Sequence, residues 1–451
     1  MRNTIFYGLC IGVGLFGINS SYSDSQMIEE VVITSSILGE TFSEANSVVQ
    51  VIEKDVLTVS ASESIGSTLD SSPGISSRDF GAAVGQPVIR GMSGDRVKIL
   101  SDGLVTRDVS GIGEDHVSDV DLTNVEQIEV ILGPASLLYT NGSIGGIVNV
   151  VTNTIPTKDL TNREIRLAIE SQSASDGSAV KFGYEEHIGG LNVTMDVADS
   201  DHENFYVPVG AIIHDEDEEH HGDEESGFLP NSDLETLSYR LGVSKVGDWG
   251  HFGLSVGKIE NMYGVPFHVD AHSEDGHDDH AGMDHDDDHA GMDHDDDHAG
   301  DDHGDEYEGE RIFSTTDSEV FNLSGSFNVD ADILKKVDYF FSDSSYSHTE
   351  SHAEEDDHGD GDAGADHGDE DGHDEHGHGE PTTFSNDAQE YGAVFDFSGE
   401  RTTQKISIGA VTEDIVIIGS EAFMMPSNVD EFTFGYYLGR EIGPFSLGLA
   451  L

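Results

Sequence analysis

Histidine and carboxylate residues alternate in three acidic stretches of this 451-residue chain. The longest stretch, residues 270–308, contains 18 carboxylates and eight histidines but no lysine or arginine. Within it, the nine-residue unit Ala-Gly-Met-Asp-His-Asp-Asp-Asp-His occurs twice in succession, at residues 281–289 and 290–298. Carboxylates alone would suit hard cations such as Ca²⁺, whereas imidazole mixed with carboxylate suits borderline metals such as Zn²⁺, Cu²⁺ and Ni²⁺. The composition therefore predicts segments that collect transition-metal ions.

Two further stretches, residues 214–225 and 349–380, have the same composition. We expect all three to be loops that bind divalent metal, with no catalytic cofactor. Runs of like charge are also typical of solvated, disordered segments, and such segments would still offer many weak sites. The candidate histidine ligands in and beside two of these stretches are His268, His272, His277, His280, His285, His289, His294, His298, His303, His352, His358, His367, His373, His376 and His378.

The overall charge excludes several classes of function. A net charge of -70 at pH 7 is incompatible with nucleic acid as a partner, because phosphate binding depends on lysine and arginine. No Ser-His or Cys-His arrangement indicates an enzyme, and Gly111-Ile112-Gly113 lacks the third glycine of a nucleotide-binding loop. Residues 284–288 superficially resemble a calcium loop but lack its glycine and its final glutamate.

The first 23 residues have the features of a secretory signal peptide. Arg2 supplies the positive charge, residues 5–18 form an apolar core, and Ser21-Tyr22-Ser23 provides a cleavage site with small flanking residues. The only cysteine, Cys10, lies within this segment and would be removed with it. We therefore expect the exported chain to bind metal through histidine and carboxylate alone.

The rest of the sequence divides into two regions with different patterns of apolar and polar residues. Residues 48–157 contain short apolar strands separated by turns and a short helix at 64–69, which predicts a compact α/β domain. Residues 158–451 contain about eleven segments in which apolar residues alternate with small or polar ones, as in Leu237, Tyr239 and Leu241. No apolar stretch of about 18 residues follows the first twenty, so transmembrane helices are not expected.

Short and long connections alternate between these strands, and the three acidic stretches all fall in long ones. Successive connections of an up-and-down barrel leave opposite rims, so the long loops would share one side. This regular alternation of short and long connections, which we call the loop parity, is typical of an antiparallel transmembrane β-barrel of the outer membrane. A soluble β-sandwich is the alternative, but it gives no reason for the parity. In the outer-membrane barrel, the acidic loops would face the outside of the cell.

Several motifs resemble those of TonB-dependent outer-membrane receptors. The segment Glu29, Glu30, Val31, Val32, Ile33 and Thr34, within a linker at residues 24–47, resembles a TonB box, the strand by which the TonB protein grips such receptors. Segments similar to the receptors' plug domain follow in the family's order, at residues 73–75, 88–91, 95–97, 100–103, 125–130, 133–135 and 145–150. The resemblance covers residues 28–157 and implies a monomeric plugged barrel embedded in outer-membrane lipid, with TonB as its partner.

Within this family, the stretch from Arg107 to His116 is similar to the zinc-uptake (ZnuD-type) receptors. The resemblance implies that Asp115 and His116, on a plug loop, supply ligands to a zinc site completed by the barrel. Tyr263-Gly264-Val265-Pro266, followed by His268, is similar to a barrel motif of the same branch. The barrel ligands themselves cannot be assigned from the sequence.

The length of the chain sets one further expectation. Plugged transporter barrels have about 22 strands, whereas a plug of this size would not fit inside a barrel of eight. We therefore expect an N-terminal fragment with about half of the barrel strands. The predicted function is TonB-dependent import of a divalent transition metal, most of all zinc. The alternative is a receptor for a metal chelate such as a siderophore or haem, with metal-buffering loops.

Overall fold

The structure is a computed structural model. It describes residues 48–59, 64–81, 83–132, 143–209, 211, 227–266, 311–329, 331–353, 380–399, 401–420, 422–442 and 445–450. Among these residues, no helix is long and apolar enough to cross a membrane.

The plug is a mixed five-stranded sheet with two short helices and a separate hairpin. Its sheet has the order β1-β6-β7-β4-β5, in which only β4 and β7 run parallel, and β2 pairs with β3. The elements are β1 (Val48–Glu53), α1 (Lys54–Val59), α2 (Ile65–Leu69), β2 (Ile75–Phe80), β3 (Val84–Ile89), a 3-10 helix (Gly94–Arg96), β4 (Val97–Ser101), β5 (Leu104–Val105), β6 (Gln127–Leu132) and β7 (Gly146–Val151).

The central strands of the plug are covered on both faces, which explains their continuous apolar sequences. Ile128 and Val148 pack in one cluster with α2, whereas Ile131 and Ile147 pack in another on the opposite face. The predicted helix at 64–69 is confirmed. It begins after Ser64, whose hydroxyl accepts from the Ser67 backbone N–H while the Ser67 hydroxyl pairs with the Ser64 backbone, a capping box.

Among the described residues after the plug, eleven antiparallel strands each pair with their neighbours in the chain, which confirms the predicted strand number. Strands β8 and β18 form the two edges of this sheet. The strands are β8 (Glu164–Gln172), β9 (Gly177–Ile188), β10 (Leu191–His202), β11 (Leu234–Gly247), β12 (Gly250–Gly264), β13 (Arg311–Asn328), β14 (Lys336–Ala353), β15 (Thr382–Asp396), β16 (Thr402–Ile418), β17 (Ser427–Ile442) and β18 (Phe445–Ala450).

The two faces of the sheet differ in polarity. On β11, Leu237, Tyr239 and Leu241 are exposed on the outer face, whereas Ser238 and Ser244 are buried on the face toward the plug. Alternation of apolar outward and polar inward residues is the pattern of a barrel whose outer surface contacts lipid. The strand residues that face the plug are accordingly rich in serine, threonine and charged groups.

One predicted loop boundary is wrong. Residues 349–353 were expected in the acidic stretch 349–380, but they continue β14, which ends at Ala353. The reason is that this end of β14 is paired on both sides, with Glu350 opposite Ser314 of β13 and opposite Thr382 of β15. Glu350 and His352, two positions apart, therefore lie on one face of the sheet instead of in a loop.

Ion pairs join the plug to the barrel wall. Arg107 of the plug lies 2.8 Å from Glu390 on β15 and 2.6 Å from Glu413 on β16, and all three side chains are mostly buried. Arg240 on β11 lies 3.2 Å from Asp121 of the plug. Breaking a buried pair leaves an uncompensated charge, which costs about 3–5 kcal/mol. These contacts therefore fix the plug loop of residues 106–126 against β11, β15 and β16.

Candidate metal site

Three side chains that could bind a metal ion, which we call the metal-binding group, meet where the plug loop of residues 106–126 contacts β14. His116 belongs to the loop, and His348 and Glu350 point from β14 toward it. Nε2 of His116 lies 2.9 Å from Oε1 of Glu350, and Nε2 of His348 lies 3.1 Å from the same oxygen. Their ligand atoms all fall within 4.8 Å of one another, and within the described part of the chain no other group of three such residues does so.

Tyr263 on β12 and Gln86 on β3 position the loop around His116. The fully buried Tyr263 hydroxyl donates to the Asp115 carbonyl at 3.0 Å and accepts from the Val117 backbone N–H at 3.3 Å. Nε2 of Gln86 contacts three loop carbonyls, including that of His116 at 3.3 Å. The backbone is thus held on both sides of His116, which gives the motif at residues 263–266 a structural role.

The imidazole of His116 is fixed by its neighbours. It lies 4.4 Å, between ring centroids, from His348 and 4.9 Å from Phe384 of β15. Its Nδ1 lies 2.9 Å from the Val109 carbonyl, which can only accept, so Nδ1 carries a proton and donates. This hydrogen bond leaves Nε2 as the metal-binding nitrogen, in the arrangement that orients most histidine ligands.

The pKa of His116 is raised above its ordinary value. Burial alone would lower this pKa, but the hydrogen bond with Glu350, the Val109 carbonyl and the charges of Asp115 and Glu350 outweigh burial. Without metal, a proton on Nε2 is therefore stabilised by the Glu350 carboxylate. A metal cation would occupy the same place and satisfy the same carboxylate, so binding would release that proton.

The spacing of the three ligand atoms fits a zinc-sized ion. Ligands at about 2.0–2.1 Å in a tetrahedron lie roughly 3.3 Å apart. The distances of 2.9 and 3.1 Å from Glu350 to the two histidines need to widen by only a few tenths of an ångström. Nδ1 of His348 is buried and has no hydrogen-bond partner among the described residues, so the ring is held by packing and by Glu350.

The other residues predicted as metal ligands are not part of this group of three. Asp115 lies beside the group, with its Oδ1 3.9 Å from Nε2 of His116. His352 lies on β14, on the same face as His348 and Glu350 by alternation, but its side chain is outside the described residues. The other candidates, and the predicted TonB box at 29–34, also lie outside them: His268, His272, His277, His280, His285, His289, His294, His298, His303, His358, His367, His373, His376 and His378.

Two residues of this group, His348 and Glu350, were not predicted. Glu350 was counted only as part of the acidic stretch 349–380, and His348, just before that stretch, was not among the candidate ligands. The signal that could have found them is the period-two spacing from Tyr346 through His348 to Glu350, which continues the inward face of β14.

Gly113→Ala is expected to weaken metal binding at this group without removing a ligand. A Cβ at Gly113 would lie 2.6 Å from Nε2 of His116, and this ring cannot move freely because Val109 and Glu350 hold it. We expect the tightest metal affinity to fall by about 10–100-fold, as when a supporting contact to a ligand is lost. Calorimetric titration with Zn²⁺ measures the change.

Gly399→Ala is the matched control, because no atom lies within 4 Å of the Cβ it would add and it is distant from the group. Unchanged affinity in Gly113→Ala would show that His116 is not at the tightest site.

The comparisons with known proteins agree with this architecture. Residues 41–147 match the TonB-dependent Receptor Plug Domain family. A hemin receptor of Yersinia enterocolitica is 29% identical over 131 residues, which are 29% of this chain and 19% of that protein. An iron-regulated outer membrane virulence protein of Vibrio cholerae serotype O1 is 25% identical over 244 residues, 53% of this chain and 35% of that protein. The chain thus spans about a third or less of the curated relatives it matches.

Among solved structures, the copper transporter OprC is similar with a TM-score of 0.54 and 13% identity, over 87% of this chain and 52% of that one. At this identity the likeness concerns the fold alone. The eleven strands after the plug match part of such a barrel. The resemblance to the zinc-uptake branch stays a prediction. Residues 41–147 are therefore similar to the plug domain of TonB-dependent receptors, and the strands that follow have the fold of part of such a barrel.

Proposed function

We propose that this chain is part of an outer-membrane receptor that imports a divalent transition-metal ion, zinc above all, with energy supplied through TonB. The observation that supports this most directly is the group His116, His348 and Glu350. Two imidazole nitrogens and one carboxylate oxygen are the ligands of many exchangeable zinc sites, which keep one position open. An open position suits a transported ion, because it must enter and leave.

The division of the ligands between plug and barrel supports transport over storage. His116 belongs to the plug, whereas His348 and Glu350 belong to β14. Any movement of the plug loop away from β14 would separate the ligands and release the ion. A site within one rigid element would have no such means of release.

The acidic, histidine-rich stretches would serve as a collecting surface. Their charge attracts cations and repels anionic chelates, and attraction of this kind raises the local concentration of ions near the site. We propose that they lie on the outer rim, because β14 and β15 border the stretch at residues 354–379 and their ends there lie on the same side as the metal-binding group.

A receptor for a metal chelate is the second candidate, and the name of the hemin receptor relative favours it. Chelates are bulky and are held mainly by aromatic and basic residues. The group at His116 is instead buried, with His116 4% exposed and His348 0% exposed. Such a pocket suits a bare or partly hydrated ion better than a chelate.

Calorimetric titration of the refolded protein with Zn²⁺, Cu²⁺, Ca²⁺, haem and a ferric siderophore separates the two candidates. We expect one tight site for Zn²⁺ distinct from many weaker ones, and no comparable affinity for haem or the siderophore. Copper would also bind tightly, because Cu²⁺ exceeds Zn²⁺ at most nitrogen and oxygen sites. A single tight site for haem or siderophore, with only weak zinc binding, would contradict the proposal.

A further inference from the structure

A cavity of about 110 Å³ lies between the plug and the barrel wall, next to the metal-binding group. The volume is sufficient for several water molecules, each of which needs about 30 Å³ in the liquid. Plug residues Thr106 and Asp119 line one side, and residues of β12, β13 and β14 line the other.

Strand β14 connects this cavity to the metal-binding group. Residues at every second position of a strand share a face, at intervals of roughly 6.6 Å. On the inward face of β14, Glu350 and His348 belong to the group, and the next residues, Tyr346, Ser344 and Ser342, line the cavity. The plug loop runs in the same direction: His116 belongs to the group, and Asp119, three residues later, lines the cavity. The cavity therefore lies directly on the inner side of the group.

Three side chains lining the cavity have buried oxygen atoms with neither a hydrogen-bond partner nor an ion-pair partner in the described part of the chain. They are the Tyr346 hydroxyl, Oδ1 of Asn322 and Oδ1 of Asp119. Tyr346 is only 3% exposed. An unpaired buried polar group costs about 1–3 kcal/mol, and a charged one costs more. Three such oxygens around one cavity indicate that a bound water molecule or ion satisfies them.

The charges around the cavity favour a cation. Three cations also line it, but each is paired: Arg107 with Glu390 and Glu413, Arg240 with Asp121, and Lys258 with Glu260, Asp317 and Glu319. Among the described residues, Asp119 is paired with no cation, and its Oδ2 accepts a hydrogen bond from the Ser318 hydroxyl at 2.6 Å.

The titration of Asp119 agrees with this charge distribution. Burial raises the pKa of Asp119 to about 7, against the Ser318 hydrogen bond, and the charges of Asp108 and Asp121 add to the rise. A nearby cation would stabilise its charged form.

We propose that this cavity is a second cation site, in which Asp119, Asn322 and Tyr346 bind a partly hydrated divalent ion through oxygen atoms. An all-oxygen set lacks the imidazole of the outer group, so it suits hard divalent ions such as Mn²⁺ and binds Zn²⁺ less tightly than the outer group does. A weaker site on the inner side suits an ion that has to move on. That role as an inner station rests on the proposed function, whereas the binding itself does not.

Anomalous diffraction from crystals of the full chain soaked in MnCl₂ tests the site directly. We expect an anomalous peak in the cavity beside the Asp119 carboxylate. The peak should be lost in Asp119→Asn, which keeps the side-chain shape, and should weaken in Tyr346→Phe, which removes only the hydroxyl. Asp343→Asn is the matched control, because Asp343 is exposed on the opposite face of β14.

His116→Ala/His348→Ala separates this proposal from the proposed function. The cavity peak should remain in this double variant, whereas zinc at the outer group should be lost. A cavity with water alone at saturating Mn²⁺, or a peak that persists in Asp119→Asn, would overturn the second site while leaving the outer group untouched. Loss of zinc binding at the outer group alone would not affect it.

Discussion

Zinc uptake at limiting concentration is expected to stop when His116 and His348 are both replaced by alanine. Each of these residues supplies one of the three ligand atoms that lie within 4.8 Å of one another, one from the plug and one from the barrel. Losing only a supporting partner of a ligand already costs about 10–100-fold in metal affinity, so losing two ligands should exceed about 100-fold. Radioactive zinc uptake by cells, together with titration of the purified variant, measures both effects.

The remaining binding distinguishes the site from the loops. The double variant should still bind many ions weakly through the acidic stretches, whereas deletion of residues 270–308 should remove weak sites and spare the tight one. Asp115→Asn should have a smaller effect, because Asp115 lies 3.9 Å from His116 and is not one of the three close ligands. Of the two plug residues predicted from the sequence, His116 is thus the more important.

His187→Ala is the matched control for loss of an imidazole. His187 lies on β9, half-buried, and contacts Asn192 and Asp159 far from the group. Its replacement should leave uptake unchanged. If the His116 and His348 double variant keeps both its tightest zinc site and its uptake at limiting zinc, the transported ion is recognised elsewhere.

The fold could be predicted from the sequence because its signals are local. Alternation along each strand gives the two faces of the sheet, and Ser64 and Ser67 give the start of α2. The strand number followed from counting alternating segments. The end of β14 was missed because its histidine and glutamate residues are of the same types as those of the acidic stretch that follows. Pairing with β13 and β15, which the sequence does not reveal, keeps these residues in the sheet.

The site could be predicted only in part, because its contacts are distant in the chain. His116 was found through its resemblance to a plug motif, but Glu350 lies 234 residues later. The composition did not indicate Glu350 either, since one functional glutamate cannot be distinguished from the many carboxylates around it. Tyr263 was noticed as part of a motif, yet its contact with the backbone on both sides of His116 depends on how β12 approaches the plug.

Deleting residues 29–34 is expected to abolish uptake and leave metal binding unchanged. We propose that Glu29 to Thr34 is the strand that TonB grips, since an extended segment can add to the edge of a partner's sheet through backbone hydrogen bonds. Without that grip no force would reach the plug, and buried pairs such as Arg107 with Glu390 and Glu413 would keep the plug loop against the barrel. The ion would then bind at the outer group and remain there. Zinc uptake and zinc titration of the same variant measure the two halves of this result.

The control for this deletion replaces residues 29–34 with an equally long flexible Gly-Ser segment, which keeps the spacing and removes the side chains. It should fail in uptake as the deletion does. A Glu29→Gln/Glu30→Gln variant, which keeps the chain extended and able to pair, should retain most of its uptake, because backbone hydrogen bonds supply most of the affinity in strand addition. If TonB supplies the energy for transport, the deletion variant should lose uptake and keep its metal binding. Uptake that persists after deletion would mean that the ion passes without TonB, and the division of ligands between plug and barrel would then need another explanation.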